Sequence, residues 1–244
     1  MSTGTARAAR RRRRLTRSPW FHVLLALVVV ALVQGFFVKV YQVPSGSMEE
    51  TLEAGDRVLV NRTAYSSAEP QRGDVVVFRK PAGWGAAPEH GALRTAVGWL
   101  GELTGIGPGN TEYLVKRIIG LPGDTVECCD AAGRVEVNGS GIDEPYVYQD
   151  LPFDAAAGME CSTAANSPRC FRPLHLATDQ YLLLGDHRAN SEDSVAACRA
   201  AAAQASCVRT AQRSDLVGTV DWFLFPFDKW GAKQNLRSAV GSTP

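Results

Sequence analysis

The stretch Tyr113-Leu114-Val115-Lys116-Arg117-Ile118-Ile119, followed by Gly120-Leu121-Pro122-Gly123-Asp124, is a β-branched apolar run that ends on a turn. Proline lacks the N–H that a strand ladder needs and glycine tolerates left-handed backbone angles, so the run stops there. Upstream, Thr51-Leu52-Glu53-Ala54-Gly55-Asp56 is a turn that feeds the strand Arg57–Asn61. Gly73-Asp74 opens another strand, Val75-Val76-Val77-Phe78, apolar throughout as expected where both faces are covered. Downstream, Thr125–Glu127 and Val135–Asn138 form a hairpin, Gln180–Leu184 is a buried strand, and Val217–Phe225 closes the sheet with core aromatics. The fold class is mainly β. Two stretches, residues 80–112 and 139–179, read as insertions or a cap, the first with a short helix over Arg94–Leu103. Alanine-rich residues 196–205 predict a short helix inside a smaller loop.

The N-terminus is of a different kind. Net charge over the 244 residues is only +1, yet Arg10 to Arg14 run without a break, with Arg7 and Arg17 nearby. Residues 1–19 are therefore a basic tail, and residues 20–38, mostly apolar, make a helix of about 28 Å, close to the thickness of a bilayer's hydrocarbon core. A cleaved signal peptide is the rival reading, but the apolar run is long and Val33-Gln34-Gly35-Phe36-Phe37 lacks a good small-x-small cleavage site. The positive-inside rule keeps the arginines cytoplasmic and places residues 39–244 outside, as one extracytoplasmic domain on a single-pass anchor. The 45% hydrophobic and 21% charged fractions are those of a globular chain, and no nucleic-acid partner is expected.

Six cysteines suit an oxidising compartment. Cys161 with Cys170 and Cys198 with Cys207 are each separated by eight residues, the spacing of local disulfide loops, while Cys-x-x-Cys pairs and His-rich tracts of a metal site are lacking. Cys128 and Cys129 are adjacent, and the sequence leaves them free, paired elsewhere or joined to each other.

Val43-Pro44-Ser45-Gly46-Ser47-Met48 lies just beyond the anchor and reads as a tight turn able to present a hydroxyl. By itself it is a loop. A serine nucleophile needs a base, and among four histidines only His187 sits in an ordered polar turn; His22 lies in the anchor, and His90 and His175 in irregular stretches. The other option is lysine, and Lys116 stands inside an apolar strand, where a snorkelling edge residue is the competing explanation.

Ser45-Gly46-Ser47-Met48 beyond an anchor, Gly73-Asp74-Val75-Val76-Val77-Phe78, Lys116 through Asp124, and Gly185-Asp186 through Asp193-Ser194, in that order, resemble the bacterial type I signal peptidases. The resemblance implies a membrane-anchored serine endopeptidase with a β-rich catalytic core and a cap. By position it makes Ser47 the nucleophile and Lys116 the general base, with Ser45 and the Ser47 N–H at the oxyanion, Ser191 orienting Lys116, and Arg117 with Asp186 as a supporting ion pair. It implies signal peptides of exported preproteins as substrates, cut after small-x-small sequences. The bilayer and the secretion machinery are candidate partners, and no metal or organic cofactor is required. The family often has Pro where this chain has Glu50, Asn for His187, Asp for Ala189 and Arg for Val195. The change at Glu50 reads as conservative, since Thr51-Leu52 persists, whereas Asp193 must find another cation, Arg188 or Arg199.

Chemistry sets a further condition. A lysine with an ordinary pKa of about 10.4 cannot act as a base at neutral pH, so burial, helped by a charge such as Arg117, must bring it down by roughly 2 to 3 pH units. The rivals are a Ser-His hydrolase built on His187, a catalytically silent membrane-anchored binding protein on the same fold, and a self-cleaving Ser-Lys repressor, which would carry a DNA-binding helical domain.

Overall fold

The computed structural model describes residues 18–81, 83–84, 91, 94–95, 98, 111–162, 166–200 and 207–231. Helix α1 covers Pro19–Phe36, opening on a proline whose missing N–H costs a helix nothing at that position, and none of its residues is buried. Its 18 residues have a mean hydropathy of 2.0, long and apolar enough by composition to cross a membrane. The helix stops two residues short of the expected end. Val38 is already the first residue of strand β1 (Val38–Gln42), where Val38, Val40 and Gln42 alternate with Lys39 and Tyr41 as a strand requires. Strand β1 pairs with β2 (Arg57–Asn61), Val38 facing Asn61. The Arg62 backbone N–H donates to the Phe37 carbonyl at 2.9 Å and its guanidinium to the Gly35 carbonyl, tying α1 to the sheet. Most of the basic tail lies outside the described residues.

The remaining strands are β3 (Val75–Arg79), β4 (Tyr113–Gly120), β5 (Thr125–Cys128), β6 (Val135–Val137), β7 (Ser140–Gly141), β8 (Phe171–His175), β9 (Gln180–Leu184), β10 (Ala211–Gln212) and β11 (Leu216–Phe225). They make a seven-stranded antiparallel sheet in the order β1-β2-β11-β3-β4-β9-β10 and a four-stranded sheet in the order β7-β6-β5-β8. Strand β11 therefore sits between β2 and β3 rather than closing an edge. Strand β4 is central, so Lys116, facing Val76 across β3, is no edge residue.

The stretch 139–179 holds β7 and β8 and is more than an insertion. Strand β8 escaped the pattern because Phe171-Arg172-Pro173-Leu174-His175 has a proline at its centre, and it is tolerated because β8 is the edge of the smaller sheet. The expected helix over Arg94–Leu103 falls mostly outside the described residues. The alanine-rich stretch gives a single 3-10 turn over Ala196–Arg199, with 201–206 likewise outside them.

Among the described residues three apolar clusters hold the domain. One lies between the sheets, joining Ile119, Leu182 and Leu184 to Val126, Val135 and Phe171. The other two include Val58, Val77, Val115 and Phe223 in one cluster, and Val76, Phe78, Ile118 and Leu183 in the other. Gly120 marks the closest approach, since a Cβ there would stand 2.9 Å from Val126 and 3.0 Å from Leu182.

Cys161 is joined to Cys170, with Cα atoms 5.4 Å apart, and Cys198 to Cys207 at 4.9 Å, both inside the span a disulfide can bridge. Cys128 and Cys129 are joined to each other. Non-reducing peptide mapping of protein taken from its native membrane is expected to recover the 161–170 and 198–207 cross-links. Replacing either pair by serine will lower stability by about 2 to 3 kcal/mol, the value of closing a loop of this size, and four free thiols would refute the pairing.

Candidate active site

The turn after β1 is fixed at both ends. The Val43 N–H donates to the Asp56 carbonyl at 2.8 Å and the Gly55 N–H to the Val43 carbonyl at 2.9 Å. Val43, Met48 and Leu52 are buried in the second cluster, so apolar anchors flank the Ser45-Gly46-Ser47 segment. Between them Ser45 is exposed and Ser47 buried. Glu50 adopts a left-handed φ of 69°, closed to proline, so the turn differs here from the one the resemblance implies.

The structure brings the two main candidates together. Lys116 Nζ lies 2.6 Å from Ser47 Oγ and donates to the Val115 carbonyl at 2.9 Å, and Lys116 is only 2% exposed. Burial pushes its amine down to about 8, against the opposing pull of Asp193, Asp186 and Glu192. The cation that assists is Arg199. Arg117 is engaged elsewhere, its Nε 2.9 Å from Asp186 Oδ1 and its Nη2 2.6 Å from Oδ2, a bidentate pair with almost no exposure. Ser45 Oγ stands 3.4 Å from Ser47 Oγ, long for an O–H···O bond. Among the described residues the Ser47 N–H has no backbone acceptor.

Ser191 does not reach its expected partner. Its Oγ is buried with no hydrogen bond among the described residues. The contact it does make is with Gly185, where an added Cβ would meet the Ser191 side chain and stand 2.6 Å from the Ser47 carbonyl. Only glycine lets these three segments close up.

His187 lies on the other side of the turn. Its backbone N–H donates to the Ser47 carbonyl at 3.2 Å, while its ring Nδ1 stands 2.9 Å from Glu49 Oε2 and 3.2 Å from the Gly46 carbonyl. The ring is engaged with the turn's backbone and Glu49. Asp193 finds its cation in Arg199, at 2.9 Å, whereas Arg188 pairs with Glu144 at 3.1 Å through Nη1.

A profile of the family described as "Signal peptidase, peptidase S26" matches residues 17–225. The chain belongs to this family. A signal peptidase I of Mycobacterium tuberculosis is 30% identical to it over 89% of the chain and 75% of the relative, and one of Bacillus amyloliquefaciens is 27% identical over 85% and 86%. A crystal structure of a signal peptidase I from Enterococcus faecalis aligns with 63% of the chain and 97% of its own length, at 21% identity and a TM-score of 0.33.

In this signal peptidase family member, sequence reasoning missed several supports. The Thr51 hydroxyl donates to Asp186 Oδ2 at 2.6 Å, the Tyr146 ring stacks on the Arg117 guanidinium at 3.9 Å, and Arg188 Nε donates to the Gly185 carbonyl at 3.0 Å. Glu144 and Tyr146 lie in the stretch read as an insertion, where a carboxylate and an aromatic two residues apart were the only signal. Asp186→Ala leaves Arg117 as an uncompensated buried charge. In denaturant unfolding it is expected to lose about 3 to 5 kcal/mol, whereas a loss below about 1 kcal/mol would show that the pair is not buried in solution.

Proposed function

We propose that this family member removes signal peptides from exported preproteins, with Ser47 as nucleophile and Lys116 as general base. The observation that carries the assignment is the 2.6 Å approach of a buried lysine amine to the Ser47 hydroxyl. An amine near pKa 8 is partly neutral at pH 7 and can accept the Ser47 proton. The Val115 carbonyl supports its orientation, in place of the Ser191 hydroxyl.

The reaction follows from these positions. Lys116 takes the hydroxyl proton as Ser47 Oγ attacks the scissile carbonyl carbon. The oxyanion so formed is met by the Ser47 N–H and the Ser45 hydroxyl. Collapse breaks the C–N bond, the leaving amine takes the proton back from Lys116, and an ester on Ser47 remains. Water enters, gives a proton to the same lysine and attacks the ester; as the ester C–O bond breaks, Ser47 Oγ takes that proton from Lys116, which frees the new carboxyl group and restores the serine and the neutral amine. The specificity that the resemblance implies is for small residues at the first and third positions before the cut.

The short path from α1 to Ser47 favours a substrate held at a membrane. Strand β1 begins two residues after the helix ends, so the nucleophile is about 40 Å at most from the helix end. Phe227 and Trp230, 73% and 57% exposed, with the Phe225 ring against Phe227, form an aromatic surface suited to the headgroup region. The anchor's orientation, tail inside and domain outside, rests on the arginine run. Among the described residues the hydrogen-bond partners of Ser47 Oγ are Lys116 and Ser45 and not the His187 ring, which speaks against the Ser-His rival.

The test is to incubate the detergent-solubilised protein with a preprotein and sequence the new N-terminus. Lys116→Ala and Ser47→Ala are expected to abolish cleavage while the domain stays folded, Ser45→Ala to slow it about 10²- to 10³-fold, and His187→Ala to retain a substantial rate. Since the protonated amine is inactive, kcat/KM will rise with pH through about 8, and the same limb will persist in His187→Ala. An active Lys116→Ala beside a dead His187→Ala would transfer the base role to histidine.

A further inference from the structure

We propose that Arg199, held in place by the Cys198–Cys207 bond, is a positioning residue of the Ser47–Lys116 site, neutralising Asp193 and fixing the backbone of Ser191. This rests on the Ser-Lys reading above and adds to it a dependence on a loop remote in sequence from both residues.

The contacts form one chain. Arg199 Nη2 lies 3.0 and 2.9 Å from the two Asp193 oxygens, and Nη1 donates to the Ser191 carbonyl. Asp193 in turn accepts from the Gly185 N–H at 3.2 Å and from the Val195 N–H at 3.2 Å. Gly185 is the residue with no room for a Cβ between Ser191 and the Ser47 carbonyl. A shift of Arg199 therefore reaches Ser47 through Asp193 and Gly185.

Charge leads to the same place. The carboxylates that act on Lys116 are Asp193, Asp186 and Glu192. Asp186 is matched by Arg117 and Glu192 is met by Lys80 at 3.3 Å, which leaves Asp193, fully buried, to Arg199. A bare carboxylate there would hold Lys116 protonated and out of use as a base.

The disulfide explains how a lone 3-10 turn can hold a guanidinium so firmly. Cys198, next to Arg199, is buried in the cluster between the sheets beside Val195, and its bond to Cys207 pins the chain again just before the Arg209 N–H donates to the Ser194 carbonyl at 2.7 Å. Both ends of the loop are thus fixed to the segment that carries Asp193.

The experiment measures kcat/KM against pH for preprotein cleavage, together with thermal unfolding, in the full chain and in Arg199→Ala, Arg199→Lys, Arg199→Ala with Asp193→Asn, and the paired Cys198→Ser/Cys207→Ser variant. In Arg199→Ala the rising limb is expected to move up by about 1 pH unit, lowering kcat/KM about tenfold at pH 7. Adding Asp193→Asn will bring the limb back, Arg199→Lys will fall between, and the cysteine pair will move in the direction of Arg199→Ala. A purely structural role would lower the melting temperature and leave the limb in place, and that result overturns the proposal. So does a limb that fails to return when Asp193 is neutralised. If Arg199→Ala does not fold, Arg199→Lys and the cysteine pair decide by the same limb. A wild-type chain without cleavage, or an active Lys116→Ala, would instead count against the functional reading.

Discussion

The structure depends on keeping one amine out of water. An ammonium buried without a full counter-charge is costly, and proteins relieve the cost by lowering its proton affinity. In the proposed mechanism the relief is also the chemistry, because a lysine that gives up its proton near neutrality becomes able to take one from serine. What the fold must supply is therefore a dry place that nonetheless opens on a substrate. Strand β4 supplies the first by lying between β3 and β9, and the turn after β1 supplies the second by bringing Ser47 to the end of the lysine side chain.

Around this amine the other charges are arranged in pairs so that none of them holds it protonated. Arg117 with Asp186 and Arg188 with Glu144 are both buried, and each also binds a backbone carbonyl, of Gly73 and Gly185 respectively. Removing one partner of such a pair is far more damaging than the pair's own net contribution, since the desolvation has already been met. The pairs act as rigid braces between segments distant in sequence: Thr51 and Arg117 meet on the carboxylate of Asp186, so the serine turn, the central strand and the loop after β9 share one hydrogen-bonded junction.

Much of this was legible in the chain. The apolar runs over 75–78, 113–119 and 180–184 announce strands covered on both faces, and a lysine inside the second is visible as an anomaly. Motif order supplied what single runs could not, the connection of Ser47 to Lys116 across nearly seventy residues. What escaped notice has physical reasons. The first residue of strand β1, Val38, was absorbed into the apolar segment because valine serves both a membrane helix and a strand. Strand β8 hid behind its proline, which only an edge position excuses. The contacts of Glu144 and Tyr146 are tertiary, and nothing periodic marks a residue that acts by reaching across space. Arg117 was expected both to pair with Asp186 and to help lower the lysine; the bidentate pair engages it, and the assisting cation is Arg199.

The place of β11 between β2 and β3 has a consequence for how the molecule comes into being. Residues 57–61 wait for residues 219–225 before either edge of the main sheet can join the other, so the ladder that supports the serine turn cannot be completed during most of synthesis. Pairings so far apart along the chain are slow to form because the loop entropy is spent before any contact is gained. A chain that has extended past both Ser47 and Lys116 but not yet to residue 225 thus holds the two residues without the completed sheet that frames them. The pairing that becomes possible last in that sheet is also the one that closes the frame around the serine turn.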